Sequence, residues 1–207
     1  MSCRLNSNAM DATRYFLALL IVISFPAFLP IWFLIHPLAR FWRRRGPFIT
    51  YLVALTIAAT VGAVLFQQRA ALLREQFGAS WPLMCLGVVL YVVSVFIEFK
   101  CRRHLGLATL VGLPEVSERI PNRLLTQGIY ARVRHPRYVS VMIGTFAFAF
   151  FVNYLAVYLV AVATIPLLYF VVVLEERELL SRFGQQYEHY MRRVPRFIPR
   201  CDADDTV

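Results

Sequence analysis

Residues 139–174, VSVMIGTFAFAFFVNYLAVYLVAVATIPLLYFVVVL, contain no charged side chain. The run is too long for one crossing of a bilayer, which takes about 20 residues, and Asn153-Tyr154 near its middle offer a place to turn. It therefore reads as two apolar helices forming a hairpin, each arm about 15 to 20 residues, the first short or tilted and the second bent at Pro166. A hairpin returns its two ends to one face of the membrane. One flank is Gly128-Ile129-Tyr130-Ala131-Arg132-Val133-Arg134-His135-Pro136-Arg137-Tyr138, and the other is Glu175-Glu176-Arg177-Glu178. Imidazole, phenol, guanidinium and carboxylate groups gathered at one membrane depth are expected to form a site.

Outward from the hairpin, three further runs of spanning length lie at 15–35, 48–66 and 81–97. Pro26 and Pro30 are predicted to kink or interrupt the first. The composition agrees with a membrane protein: 59% hydrophobic and 16% charged residues, with a mean hydropathy of +0.59, lie outside the soluble globular range. The first apolar run is followed by a second, not by a small-residue cleavage site, so it reads as a retained span.

The net charge of +10 follows topology. Arg40, Arg43, Arg44 and Arg45 follow the first span, whereas only Arg69 and Arg74 follow the second. The loop from Lys100 to Arg137 and the tail from Arg177 to Arg200 are basic again. Arginine blocks between apolar runs, without an aromatic-studded stripe or a helix-turn-helix face, argue against nucleic acid as a partner. By the positive-inside rule they face the cytoplasm. The expected fold is an all-α polytopic membrane protein of about five spans, N-terminus outside, with a C-terminal helical hairpin and a polar pocket on the cytoplasmic side. As one integral membrane domain, it divides into a polar N-terminal tail (1–14), three transmembrane helices (15–98), a cytoplasmic loop ending in the basic and aromatic motif (99–138), the hairpin (139–174), and a C-terminal helix and tail (175–207). Helical spacing over 175–190 predicts one tail helix, after which Phe197-Ile198-Pro199 is expected to dock back onto the body. The expected location is the inner (plasma) membrane.

Cys3, Cys85, Cys101 and Cys201 are far apart and lack paired spacing, so neither a disulfide framework nor a metal site is predicted.

The last 90 or so residues resemble the membrane methyltransferases that use S-adenosylmethionine, the isoprenylcysteine carboxyl methyltransferases and their phospholipid-methylating relatives. The matching residues are Leu124-Leu125-Thr126-x-Gly128-Ile129-Tyr130 and Arg134-His135-Pro136-x-Tyr138. They continue through Glu175-Glu176-x-x-Leu179, Phe183-Gly184-x-x-Tyr187-x-x-Tyr190 and Val194-Pro195-Arg196-Phe197-Ile198-Pro199. The resemblance implies an S-adenosylmethionine pocket lined by Leu124, Leu125, Tyr130, His135, Pro136, Arg137, Tyr138 and Glu175. It also implies a lipophilic or lipid-modified acceptor that enters from the membrane lipid. Two positions depart from the family pattern: Asn122 stands where a histidine is common, and Val171 where an arginine is common.

Methyl transfer from a sulfonium is an in-line displacement, and its chief demand is alignment. Glu175 and Arg134 are the expected catalytic pair. Glu175 is placed to hold the amino group of the cofactor's methionine part or to sit near its sulfur, and Arg134 or His135 to take its carboxylate. Glu176 and Glu178 are expected to be solvated, Arg177 to point to a different face from Glu175, and Tyr187 and Tyr190 to pack or anchor. The acceptor is left open between a carboxylate, already ionised at neutral pH, and an amine, which must first lose a proton. Two other readings stand beside this one: a membrane isoprenoid or sterol reductase using a nicotinamide cofactor, and a non-catalytic relative.

Overall fold

The computed structural model describes residues 2–35, 38–103 and 124–199. Asn122 and most of the expected cofactor loop lie outside the described residues. The elements are α1 (Ser2–Ile35), α2 (Ala39–Arg45), α3 (Pro47–Gln67), α4 (Arg69–Leu72), α5 (Trp81–Arg102), a 3-10 turn (Gly128–Ala131), α6 (Pro136–Val152), α7 (Leu155–Phe183) and α8 (Gln185–Arg193). Among the described residues there is no strand, only an isolated bridge between Gln76 and Tyr154.

Among the described residues, four helices are long and apolar enough to cross a membrane: Asn8–Ile31 within α1, and α3, α5 and α7. The fifth expected span, α6, has only 17 residues, about 25 Å of helix. Helix α1 begins at Ser2, well before the expected end of a patternless tail, and runs unbroken through Pro26 and Pro30. Each proline frees one carbonyl a turn earlier, a loss that a membrane helix tolerates when its neighbours pack closely.

Helices α1 and α3 are joined by α2, whose buried Trp42 donates from Nε1 to the Leu34 carbonyl at 3.0 Å. Gly46, at φ 83°, turns the chain, and Pro47 opens α3. Helices α5 and α6 make the closest pairing. Ser94 Oγ and Ser140 Oγ each donate to the other residue's carbonyl at 2.9 Å, and Gly87 lets the backbone of α6 approach.

The α6–α7 hairpin turns at Asn153 as expected, in the left-handed conformation (φ 57°, ψ 48°) that asparagine tolerates. Residues 75–78 fold onto this turn: Phe77 N donates to Asn153 O at 3.1 Å, Leu155 N to Glu75 O at 3.1 Å, and Asn153 Nδ2 to Gly78 O at 3.0 Å. From α1, the fully buried Arg14 donates from Nε to the Val152 carbonyl at 3.0 Å. The exposed carbonyls of a short helix end are thereby satisfied.

Two expected boundaries move. The second hairpin arm runs past Leu174 as far as Phe183, because Glu175–Phe183 continues the helical face. The single tail helix is in fact two, since the chain breaks at Gly184 (φ 53°, ψ −128°), a conformation glycine adopts without a Cβ clash. Helix α8 then folds back on Leu124, Leu179 and Phe183 through Tyr187 and Tyr190.

Candidate active site

The two flanks of the hairpin meet. Pro136 occupies the first turn of α6, where its missing N–H costs nothing, and His135 is the N-cap residue. Arg134 and His135 are fixed from a second side by the C-terminal strap, with Arg134 N donating to Pro195 O at 2.9 Å and His135 N to Arg196 O at 3.1 Å. Their side chains face the end of α7. His135 Nδ1 lies 3.7 Å from Glu175 Oε2, so the expected fold-back of imidazole onto carboxylate is present.

Glu176, not Glu175, is the hub. It was expected in solvent, yet it is 4% exposed. It continues the buried stripe of Leu168 and Val172 at intervals of one helical turn. Its Oε1 is 3.0 Å from His135 Nε2 and 3.2 Å from Arg134 Nη2, and its Oε2 accepts from Arg196 Nη2 at 2.5 Å. With the carboxylate accepting, Nε2 of His135 is the donor and Nδ1 is turned toward Glu175. Arg196 also lies over the Tyr169 ring at 5.2 Å and donates from Nη1 to its hydroxyl at 3.1 Å. The bond to Glu176 raises the Arg196 pKa and keeps it charged.

Three residues around this hub retain buried polar atoms without a hydrogen-bond partner: Arg134 at Nε and Nη1, Glu175 at Oε2, and Tyr187 at its hydroxyl. Buried donors and acceptors are ordinarily satisfied. Two guanidinium donors on Arg134, which pairs with Glu176, and a carboxylate oxygen on Glu175, which approaches His135, are groups that an α-amino acid, anionic at one end and cationic at the other, would engage. The donor set therefore fits the methionine part of S-adenosylmethionine.

The other expected residues are distributed around this centre. Tyr130 is buried, its main-chain carbonyl accepts from Tyr190 Oη at 2.6 Å, and burial raises its phenol pKa. Tyr138 sets its ring 5.8 Å from that of His135. Arg137 turns instead toward α5, with Nε 3.9 Å from Glu98 Oε2. Leu124 packs on Tyr187, Tyr190 and Val194, and Leu125 is half-buried. Tyr187 and Tyr190 pack as expected, and Arg177 faces away from Glu175, out of the bundle. Val171 is fully buried. Of the strap, Phe197 docks 6.3 Å from the His135 ring, whereas Ile198 stays exposed.

Arg196 and Tyr169 had no place among the expected site residues. Arg196 belongs to a motif already visible in the sequence, whose prolines read as punctuation; Tyr169 carries no sequence signal that separates it from an interfacial anchor.

Comparison with known proteins places these features. The chain is 32% identical over 123 residues to methanethiol S-methyltransferase of Crocosphaera subtropica, covering 58% of this chain and 46% of that one. It is 34% identical over 85 residues to the cobalt-zinc-cadmium resistance protein CzcN of Cupriavidus metallidurans, covering 41% and 39%. It is 36% identical over 77 residues to protein-S-isoprenylcysteine O-methyltransferase of Schizosaccharomyces pombe, covering 37% and 33%. The chain thus spans less than half the length of each of these relatives. The sequence model of the family described as phospholipid methyltransferase matches residues 82–186, half of the chain, from the start of α5 into α8. By that match, the chain belongs to the phospholipid methyltransferase family of membrane proteins.

Proposed function

We propose that this protein is an S-adenosylmethionine-dependent membrane methyltransferase acting on a lipophilic acceptor, with its site on the cytoplasmic face of the inner (plasma) membrane. The observation that carries the reading is a set of buried atoms without hydrogen-bond partners, Nε and Nη1 of Arg134, which pairs with Glu176, and Oε2 of Glu175, which approaches His135. Arg134 takes the carboxylate of the methionine part in charge-assisted hydrogen bonds. Glu175 Oε2, an acceptor, takes the ammonium. When bound, S-adenosylmethionine supplies a methyl group on a positive sulfur that departs as a neutral thioether.

The remaining residues position and shield. Glu176 holds Arg134, His135 and Arg196 in register, so the catalytic demand of alignment falls on a carboxylate that is itself locked from three sides. Phe197, with the strap, covers His135 and excludes water. Tyr130, Tyr138, Pro136, Leu124 and Leu125 form walls for the nucleoside part, while Arg137, paired with Glu98, orients the start of α6. The cytoplasmic assignment is supported by charge: Arg44, Arg45, Lys100, Arg102, Arg132 and Arg137 all lie at the site's end of the bundle. Two of the relatives are named for methyl transfer, to the sulfur of a thiol and to the oxygen of a prenylated cysteine; the acceptor atom here is a nucleophile of that kind or an amine.

The test is to incubate membranes containing the protein with S-adenosylmethionine labelled in the methyl group and to identify the labelled lipid. Labelled lipid that disappears with Glu175→Ala supports the reading. Base-labile label identifies an ester, and base-stable label an amine or thioether. Calorimetric binding of a nicotinamide cofactor in place of S-adenosylmethionine overturns it in favour of a reductase.

A further inference from the structure

Near the cytoplasmic-facing site, but on the outside of the bundle, Phe33 of α1 and Tyr169, Phe170, Val173, Leu174 and Arg177 of α7 line a groove of about 410 Å³. That volume is in the range of small-molecule sites. The α7 residues recur on one helical face, opposite the buried Leu168, Val172 and Glu176. Phe170 is 57% exposed, so the groove opens where lipid surrounds the helices.

The groove holds one charge. Arg177 is exposed, and its acidic neighbours are engaged elsewhere: Glu175 faces His135, Glu176 is the hub, and Glu178 pairs with Arg182 at 3.0 Å. Among the described residues Arg177 makes no ion pair. A guanidinium at the rim of an apolar trough complements an amphiphile with an anionic group, which it can bind bidentately.

The groove is also continuous with the site. Tyr169 lines it, yet its hydroxyl accepts from Arg196 and its ring lies 6.4 Å from that of Phe197, which in turn lies 6.3 Å from His135. An occupant of the groove therefore touches Tyr169, which is bonded to the arginine that clamps the hub.

We infer that this groove seats the apolar chain of the methyl acceptor, drawn from the leaflet at the site's end of the bundle, and that Arg177 holds an anionic group the acceptor carries besides the atom it has methylated. This rests on the methyltransferase reading and narrows its substrate class to anionic amphiphiles. A guanidinium-bound anion is a poor nucleophile, so Arg177 anchors the acceptor and leaves the transfer to a second group.

The test uses the full chain in lipid nanodiscs with two photoactivatable probes, a diazirine-bearing palmitic acid and the corresponding alcohol, and peptide mass spectrometry to locate the label. The acid is expected to label the peptides holding Phe33 and residues 169–177, and Arg177→Gln to cut that label at least fivefold while the label from the alcohol stays unchanged. Equal labelling of Arg177→Gln and the unaltered chain by the acid, or label confined to other faces, overturns the inference. Calorimetry with S-adenosylmethionine on the same samples separates the two claims. Binding by both chains without charge-dependent label sinks the groove alone; no binding by the unaltered chain sinks the methyltransferase reading and the acceptor role with it.

Discussion

Glu176 Oε2 accepts from Arg196 Nη2 at 2.5 Å, tying the end of the long hairpin helix to a strap twenty residues later. The neighbouring Glu175, with a 26% exposed side chain, makes only the longer approach to His135. Adjacent carboxylates thus sit in different settings, one bound at both oxygens and one only partly covered.

Their alanine variants should separate the two roles. Glu176→Ala leaves Arg134 and Arg196 facing each other without a counter-charge, and removing one partner of a buried pair costs about 3–5 kcal/mol. Its thermal unfolding midpoint in detergent is expected to fall sharply. Glu175→Ala is expected to unfold near the parental temperature while losing S-adenosylmethionine binding in calorimetry. Equal thermal losses in the two variants would contradict the division.

Besides its main-chain bonds, the strap is held by the Arg196 side chain, which engages Glu176 and both the ring and the hydroxyl of Tyr169 and so offers a second test. Arg196→Met keeps the bulk over Tyr169 but removes the bonds to Glu176 and the Tyr169 hydroxyl. Faster hydrogen exchange is expected in residues 194–199 together with roughly tenfold weaker cofactor binding, equivalent to about 1.4 kcal/mol. Arg196→Lys restores the charge without the fork and is expected to recover only part of the affinity.

Helix α6 sets the position of His135, and its seat on α5 depends on a missing side chain. A Cβ on Gly87 would lie 2.7 Å from the Ala147 carbonyl, whereas one on Gly62 would meet only Ile23 Cγ2 at 3.5 Å. Gly87→Ala is expected to destabilise by about 1–3 kcal/mol, as overpacking does, and to lower activity because the N-terminus of α6 shifts. Gly62→Ala, as a control, should be neutral in both thermal unfolding and labelling assays.

Alkaline pH probes the packing of α8. Burial raises the phenol pKa values of Tyr130, Tyr187 and Tyr190, the last from 10.0 to about 12. A raised value means the folded state keeps its proton longer than the unfolded one. The stability is therefore complete below pH 10 and is lost as pH rises from there through about 12 for Tyr190. The melting temperature of the purified protein should decline from about pH 10 upward, and Tyr190→Phe should flatten part of that decline while lowering the plateau through loss of the bond to the Tyr130 carbonyl. A decline of equal steepness in the variant would count against it.

Much of this arrangement can be read in the chain before any coordinates. An uncharged run with Asn153-Tyr154 at its centre contains the hairpin, and the hairpin obliges His135 and Glu175 to meet. Helical continuity was legible too: Leu168, Val172 and Glu176 recur every four residues, so the stripe that buries the first two buries the third. Reading each glutamate by its place in a polar cluster instead of by its face put Glu176 in solvent. The strap's role was less accessible. Nothing local in Val194-Pro195-Arg196 reveals that its carbonyls will receive the N–H groups of Arg134 and His135, because that pairing spans some sixty residues of sequence. Similarly, Pro26 and Pro30 signal a break that packing in α1 overrides.

The turn at Asn153 also bears on how much of the chain is needed to make the rest. Its hydrogen-bonding partners from outside the hairpin are in residues 75–78, and the adjoining helix end is held by Arg14; all of these precede residue 82, where the family match begins. The half that matches the family is consequently not a transplantable cassette. During biosynthesis its hairpin closes against a clasp that has already left the ribosome, and a chimera that replaces the first eighty residues must bring an equivalent clasp of its own.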